Sequence, residues 1–210
     1  MRVRKGVLLL SGGFDSPVAA QKMMKRGIEL VPLHFSSVPF TDEQEEEKVR
    51  KICRHLKLSR LLVVRCGEEL AVLTKECNHR LYYVLSRRLM YRVAEKIAGD
   101  EGADVLVTGE NLGQVGSQTT WNMDTIDRSV SIPVLRPLLC NEKVDTVQES
   151  MRLGLFALST GPELCSLLGP KHPLTRSREE QVGVEEQKID VDGLVADCLK
   201  KISVVECKDE

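Results

Sequence analysis

Residues 6–27 read GVLLLSGGFDSPVAAQKMMKRG, and this stretch decides the fold. It opens with an apolar run bounded by turn residues, which predicts a strand buried on both faces. From Ser16 to Arg26 the apolar residues fall at helical spacing, and Gly27 predicts the end of that helix. Two glycines, an acid and two serines therefore lie at the junction between a buried strand and a helix.

The rest of the chain repeats this alternation of strand and helix. Further apolar runs predict strands at IELVPLHF, SRLLVVRC, ADVLVTGE and SIPVLRPLL. Helical patterns lie between them, one opened by Thr41, a long one over residues 80–98, and one from a cap at Asn141 to a stop at Gly154. The alternation predicts an α/β fold, with a parallel five-stranded sheet covered by helices on both faces.

The composition changes near residue 176. Residues 1–176 carry the alternating pattern and are predicted to form one domain. Residues 177–210 are charged and then offer one amphipathic segment, DGLVADCLKKI. We expect this part to be a C-terminal tail with one peripheral helix.

Composition and charge restrict the function classes. The formal net charge of −1 provides no overall basic field for nucleic acid, so an RNA partner needs a local patch or another protein. No apolar run approaches the ~20 residues of a membrane span, and the N-terminus does not read as a signal peptide. We therefore expect a cytoplasmic protein without membrane contact. The seven cysteines form no CxxC pair, which argues against a zinc ribbon.

The turn after the first strand has the chemistry of a phosphate site. In an open parallel sheet, ligands bind beyond the carboxyl ends of the strands. Glycines let the backbone approach an anion, and the helix that follows points unpaired N–H groups and its positive dipole end toward it. Ser11 and Ser16 add hydroxyl donors. The loop is neither GxxxxGK[ST] nor GxGxxG, and a tight turn with an Asp or Ser cap stays open as an alternative.

The sequence SGGFDS resembles the PP-loop of the ATP pyrophosphatases, a Rossmann-like (HUP) family that cleaves ATP between its α and β phosphates and transfers AMP to an acceptor. Further segments are similar to one branch, the tRNA 4-thiouridine synthetases (ThiI-like sulfurtransferases). They occur in the family's order over about residues 6–176: SGGFDSPVAA, VPLHFSS, RRLMYRVAEKIA, VTGENLGQVGSQT, PVLRPLL and CSLLGPKHPLT. The resemblance implies ATP as substrate and Mg²⁺ held by Asp15, a hard oxygen ligand.

The resemblance also implies a set of nucleotide-binding positions. They are Leu9, Leu10, Ser11, Gly12, Gly13, Asp15, Ser16, His34, Phe35, Arg87, Gly109 and Gln118. Gly109 suits close approach of the nucleotide because it lacks a side chain. Ordinary alternatives stay open: core packing for Phe35, a satisfied strand-end histidine for His34, and a solvated helix charge for Arg87. For the side chains of Glu110 and Asn111 three partners stay open, namely magnesium, the ribose and their own backbone.

Cys165 is the candidate nucleophile. It precedes SLLGPKHP and resembles the family cysteine that acts on the activated base, whereas a single buried cysteine is more often a packing residue. The implied reaction adenylylates O4 of a uridine of the position 8 class and replaces it with sulfur from a persulfide or sulfide donor, giving 4-thiouridine. A second thiol would resolve Cys165 by exchange, with Cys198 or Cys207 as candidates.

The chain departs from the family pattern in three ways. The first strand starts within ten residues of Met1, so we expect the family's N-terminal THUMP region to be absent and tRNA to be bound through a separate protein. We also expect no rhodanese-like extension to follow, so that the sulfur carrier is another protein or an inorganic sulfide source. Some relatives read CVLCRR where this chain reads YVLSRR, with Tyr83 and Ser86 at the cysteine positions, so no iron–sulfur cluster is expected. A homodimer is left open.

Two rival functions remain. The acceptor of AMP could be a small molecule, as in other PP-loop enzymes, or the chain could be a non-catalytic ATP-binding module. Release of pyrophosphate would distinguish an enzyme from a non-catalytic ATP-binding module. Thiouridine analysis of tRNA would distinguish a tRNA sulfurtransferase from an enzyme with a small-molecule acceptor.

Overall fold

The sheet of this protein joins strands from both ends of the chain. A computed structural model describes residues 3–160 and 168–207. Within them, the sheet has six strands in the order β5-β4-β1-β2-β3-β6. Strands β1 to β5 are parallel to one another, and β6 is antiparallel to β3. The strands are β1 (Lys5–Leu9), β2 (Glu29–Ser36), β3 (Arg60–Arg65), β4 (Val105–Val107), β5 (Val134–Leu135) and β6 (Ile202–Glu206).

Helices cover both faces of the sheet. They are α1 (Asp15–Met24), α2 (Gln44–His55), α3 (Gly67–Glu76), α4 (Tyr82–Glu101), α5 (Thr120–Asp127), α6 (Lys143–Arg152), α7 (Phe156–Ser159), α8 (Glu179–Glu186) and α9 (Val191–Lys200), with a 3₁₀ turn at His79–Leu81. Alternate residues of β1 enter different cores. Val7 and Leu9 pack in the core beneath α3, α4 and α9, whereas Leu8, and Leu10 just after the strand, pack in the core beneath α1 and α2. The predicted α/β architecture is confirmed.

Several helix ends follow the sequence pattern. Gly27 and Gly154 have φ angles of 76° and 70°, the left-handed conformation expected of a glycine that ends a helix. The predicted cap at Asn141 is wrong by one residue, since Glu142 precedes the first turn of α6 without a side-chain cap. The sequence analysis did not identify α3 or α5, which are short and lack a strong apolar stripe.

The number of strands differs from the prediction of five. The additional strand, β6, comes from the C-terminal part and pairs with β3 through a register that places Val204 beside Leu62. An antiparallel edge strand formed by the end of the chain has no local signal that distinguishes it from a peripheral extended segment. The amphipathic segment is confirmed as a helix, α9, and α8 is a second helix in this part.

A buried arginine ties α8 to the body of the protein. The side chain of Arg88 on α4 is 3% exposed and lies 2.9 Å from Glu186 and 3.0 Å from Glu179. It also donates to the carbonyl of Thr125. Arg92 contacts the same Glu186 carboxylate at 2.6 Å. The division at residue 176 stays a prediction, but residues of α8 and α9 share the core of the sheet.

Among residues 3–160 and 168–207, no helix has the length and apolarity needed to cross a membrane.

Candidate active site

The sheet reverses its strand order beside β1. Strands β2 and β3 follow on one side of β1, and β4 and β5 lie on the other. The carboxyl ends of β1 and β4 therefore border the crevice in which open α/β sheets bind ligands. The loop of residues 11–14 leaves β1 there, and residues 108–118 leave β4 there. The topology brings together the two segments that the sequence analysis singled out.

The loop after β1 is closed by its own serines. The hydroxyl of Ser16, a residue only 4% exposed, accepts from the backbone N–H of Ser11 at 2.9 Å. The two hydroxyl oxygens are 3.1 Å apart. Ser16 therefore shapes the turn, whereas Ser11 is exposed and can donate to a ligand. Asp15 is the first residue of α1, so that its carboxylate lies at the positive end of the helix dipole.

Gly109 is needed for packing of the chain against itself. A Cβ atom on Gly109 would lie 2.5 Å from the backbone nitrogen of Ser16 and 2.7 Å from the carbonyl carbon of Asp15. The end of β4 thus touches the start of α1, and this contact explains why position 109 is a glycine. Whether Gly109 also contacts a nucleotide stays a prediction.

We predict that Gly109→Ala lowers the free energy of unfolding by about 1–3 kcal/mol, because backbone atoms of α1 must move to admit the methyl group. Gly99→Ala is the matched control. Gly99 lies in α4 with nothing within 4 Å of its Cβ position, so alanine should raise stability by about 0.5–1 kcal/mol. Urea denaturation measures both variants, and equal stabilities of the two would contradict the packing described here.

The ends of β1 and β2 are joined by a histidine. Nδ1 of His34 donates to the carbonyl of Leu10 at 3.0 Å, which leaves Nε2 as an acceptor. His34 is 2% exposed, and its Nε2 has no hydrogen-bond partner among the described residues. Burial lowers the pKa of His34 although Glu45 and Glu46 act in the opposite direction, so the ring is neutral. Phe35 is half-buried and packs against the core, as its ordinary alternative predicts.

Arg87 reaches the end of β4 through Glu110. Its Nε atom lies 3.9 Å from Oε1 of Glu110, whose side chain is 6% exposed. Glu110 Oε2 accepts from Tyr91 at 2.6 Å and from Arg136 at 3.0 Å. Burial raises the pKa of Tyr91, which therefore remains a neutral donor. The Glu110 carboxylate thus holds charged and polar side chains at the crevice, and a contact of Glu110 with magnesium or ribose stays open.

Gln118 lies in a turn that folds back on β4. Its backbone carbonyl accepts from Gly113 at 2.8 Å, and its side-chain oxygen lies 3.4 Å from the backbone nitrogen of Asn111. Gly113 has a φ angle of 75°, a left-handed conformation that favours glycine at this position of the turn. The Asn111 amide donates to the carbonyl of Asn141 at 2.6 Å, so that it also fixes the loop.

The sequence analysis missed Lys48. This residue of α2 places Cδ 3.2 Å and Nζ 3.6 Å from the position that a Cβ on Gly12 would take. In the part of the chain that the structure describes, Lys48 makes no ion pair or hydrogen bond. A lysine on a distant, highly charged helix carries no local signal of this proximity. Lys48 thus places a positive charge, unpaired among the described residues, beside Gly12.

The cysteines separate into buried and exposed thiols. Cys165 lies outside the described residues. Cys198 and Cys207 are 0% and 2% exposed. Burial raises the pKa of Cys198 to about 12 and also raises the pKa of Cys207, which disfavours both as attacking thiolates. Cys140 is exposed.

Among residues 3–160 and 168–207, no group of three His, Cys, Asp or Glu residues converges as a metal site. Asp15 is the carboxylate that begins α1.

The comparisons with known proteins decide the family. A family model described as thiamine biosynthesis protein (ThiI) matches residues 2–191. The chain belongs to this family. It is 40% identical over 212 residues to a probable tRNA sulfurtransferase of Moorella thermoacetica, a match that covers 98% of this chain and 54% of the relative. A probable tRNA sulfurtransferase of Finegoldia magna is 37% identical over 97% of this chain and 54% of its own length.

A solved structure supports the same family assignment. The crystal structure of a 4-thiouridine synthetase in complex with RNA and bound ATP superimposes with a TM-score of 0.92 at 37% identity, over 97% of this chain and 55% of that one. The resemblance drawn from the sequence is therefore confirmed for the ThiI family. This chain spans about half the length of the relatives it matches.

Proposed function

We propose that this chain is the catalytic part of an ATP-dependent tRNA sulfurtransferase. The observation that carries the proposal is the convergence of the SGGFDS loop, Gly109 and Lys48 at the crevice between β1 and β4. The similarity to a 4-thiouridine synthetase solved with RNA and ATP supports the same assignment.

ATP is proposed to lie with its phosphates on the loop after β1. Ser11, Gly12, Gly13 and the N–H groups at the start of α1 would hold the phosphates, with the Lys48 ammonium as the counter-charge. The adenine would lie beside Leu9 and Leu10 at the ends of β1 and β2. His34 Nε2, a buried acceptor, is available there for a donor on the nucleoside.

The remaining predicted contacts come from β4 and α4. Arg87, held by Glu110, would reach the nucleotide together with Gly109 and Gln118. Cations fixed in this way stabilise charge that develops on the phosphates during the reaction, which is usually the largest catalytic contribution.

The site fits magnesium, with Asp15 as its protein ligand. Mg²⁺ is commonly bound by one or two carboxylates together with substrate phosphates and water, so a single carboxylate beside a phosphate loop is a sufficient donor set. When bound, the ion would neutralise charge on the leaving pyrophosphate.

The first chemical step activates the uridine. Its O4 attacks the α phosphorus of ATP, the bond to the bridging oxygen breaks, and pyrophosphate leaves with that electron pair. The uracil ring loses its N3 proton, so that the product is an O4-adenylylated uridine. AMP is then a far better leaving group than the original carbonyl oxygen.

The second step introduces sulfur through Cys165. The terminal sulfur of a Cys165 persulfide attacks C4 and displaces AMP, leaving the base joined to the cysteine by a disulfide. A second thiol attacks the Cys165 sulfur, 4-thiouridine leaves, and a dithiol reductant then reduces the protein disulfide. A separate persulfide-carrying protein supplies the outer sulfur to Cys165 and is left as a thiol. Inorganic sulfide would instead attack C4 itself and displace AMP without passing through Cys165.

The low net charge of the chain indicates how it would bind tRNA. With a formal net charge of −1, we infer that tRNA is bound with help from a separate RNA-binding protein. Assembly as a homodimer stays a prediction.

The proposed function is tested by the products of the reaction. With ATP, tRNA, a persulfide donor and a dithiol reductant, the chain should form AMP, pyrophosphate and 4-thiouridine. Cys165→Ser should bind ATP normally and lose thiolation, whereas Cys140→Ser, which changes an exposed cysteine, should retain it. Formation of ADP would refute the proposal. AMP without thiouridine would favour a small-molecule acceptor, and ATP binding without pyrophosphate release would favour a non-catalytic module.

Lys48→Met is predicted to weaken ATP binding about 10-fold or more, because a charge-assisted contact to a phosphate is lost. Lys51→Met is the control from the same helix. The Lys51 side chain is 57% exposed and pairs with Glu47 at 3.9 Å, so its removal should leave the affinity unchanged. Calorimetric titration with ATP measures both. Equal affinities of the two variants would exclude Lys48 from the phosphate site.

A further inference from the structure

An exposed tryptophan lies next to the candidate active site. Trp121 is the single tryptophan of the chain and lies in the first turn of α5, with 54% of its surface exposed. The guanidinium carbon of Arg176 lies 4.3 Å from the centre of its ring. A cation over an indole face is attracted by the ring quadrupole, so Arg176 orients the ring while much of it remains accessible.

The pair is held on a fixed frame. Asn122, adjacent to Trp121, is 0% exposed. Its amide donates to the carbonyl of Leu174 at 2.8 Å, and its side-chain oxygen accepts from the backbone N–H of Ser177 at 2.9 Å. Arg176 therefore lies within a segment that is tied on both sides to the first turn of α5. A platform fixed in this way loses little conformational entropy when a ligand binds.

The same frame connects the pair with the predicted ATP site. Gln118 lies in the turn that leads into α5, three residues before Trp121. In that turn the Cβ position of Gly116 lies 2.7 Å from the Pro173 ring, so the turn and residues 171–178 are in contact. A ligand on Trp121 would lie at the border of the active site.

The charged residues around Trp121 favour binding of a polyanion. Residues 171–178 read KHPLTRSR and contain three cationic residues but no acid. Arg176 is exposed and makes no ion pair among the described residues. Asp124, one turn along α5, is paired with Arg128 at 3.0 Å. The local positive charge contrasts with the net charge of −1 of the whole chain.

We propose that Trp121 and Arg176 form a platform on which an unpaired nucleobase of the RNA substrate stacks, with the neighbouring phosphates against the cations of residues 171–178. The inference rests on the proposed function, since it identifies the surface by which the same site recognises RNA. Aromatic rings and arginine planes are the groups on which unpaired bases stack. The platform would hold the chain beside the target uridine as that base leaves its own stack.

Fluorescence of the single tryptophan tests the proposal directly. The probes are a single-stranded RNA octamer, an abasic octamer with the same phosphates, and ATP with Mg²⁺. We expect the RNA octamer to quench the emission saturably, and the abasic octamer and ATP to leave it nearly unchanged. Equal quenching by the abasic octamer, quenching by ATP alone, or no quenching by RNA would each overturn the proposal.

Substitutions of Trp121 and Arg176 measure how much each side chain contributes to the affinity for RNA. Trp121→Ala should weaken binding of a labelled RNA octamer about 5- to 100-fold, the range found for base–aromatic stacking. Val184→Ala changes a similarly exposed apolar residue, 57% exposed on α8, and should bind as the unmodified chain does. Arg176→Ala should weaken binding more than Lys75→Ala, which removes the same charge from an 82% exposed side chain. Equal effects within either pair would refute a specific platform.

ATP binding, measured on the same samples, separates the two proposals. If the chain binds ATP but RNA does not quench Trp121, the platform is wrong and the proposed enzyme stands. If RNA quenches Trp121 but ATP does not bind, the platform stands and the proposed function fails. A protein that binds at Trp121 in place of RNA would also contradict the platform.

Discussion

Asp15→Asn is expected to lower the rate of AMP and pyrophosphate formation by at least about 100-fold, since a metal ion that neutralises charge on the leaving group stabilises the transition state by several kcal/mol. Asparagine keeps the shape of the side chain at the start of α1 but removes its charge. The stability of the fold should change by less than about 1 kcal/mol, because the interaction of a side-chain charge with a helix dipole is of that size. Single-turnover assays with radiolabelled ATP measure the rate.

Asp42→Asn is the matched control for Asp15→Asn. Asp42 is an exposed acid at the start of the neighbouring helix α2, where its carboxylate accepts from the backbone N–H of Gln44 at 3.1 Å. Its substitution should leave AMP formation unchanged. A normal rate in Asp15→Asn at limiting Mg²⁺ would remove Asp15 from the proposed magnesium site.

Arg88→Met is expected to lower the free energy of unfolding by about 3–5 kcal/mol, the usual cost of breaking a buried ion pair by removing one partner. The Arg88 side chain is 3% exposed, and its loss leaves Glu186 with Arg92 as its remaining partner. Limited proteolysis should then cleave near α8 sooner than in the unmodified chain, because Arg88 ties this helix to α4.

Arg128→Met is the control for Arg88→Met. Arg128 pairs with Asp124 on the surface of α5, and both side chains are more than half exposed, so its removal should cost less than about 1 kcal/mol. A cost of similar size for the two substitutions would contradict the structural role of Arg88.

The same ion pair predicts a dependence on pH. Burial raises the pKa of Glu186, but hydrogen bonds from Arg92 and Arg88 outweigh it, so that the folded-state pKa is lowered from 4.5. A lowered pKa stabilises the folded state above pH 4.5, and this contribution is lost as the pH falls through the folded-state value. Arg88→Met should therefore lose less stability than the unmodified chain on acidification below pH 4.5.

The loop after β1 and the branch of the family were readable because their signals are local. A buried strand, two glycines and an amphipathic helix lie within residues 6–27, and each obeys a rule that depends on neighbours in sequence. The same holds for the glycines that end α1 and α6. The segment containing Gln118 is long enough to be specific for the family without any knowledge of its contacts.

The amino-acid sequence by itself thus determined the α/β class, the position of the loop and the family. The tertiary structure decided that Gly109 packs against α1, that Lys48 lies beside Gly12, and that β6 completes the sheet next to β3. It also decided that Arg88 binds Glu186, a residue 98 positions away. Contacts of this kind join residues that are distant in the chain, and they exist only after the strands have paired and the helices have packed. No pattern of neighbouring residues encodes them, because the free energy that selects them comes from the completed core.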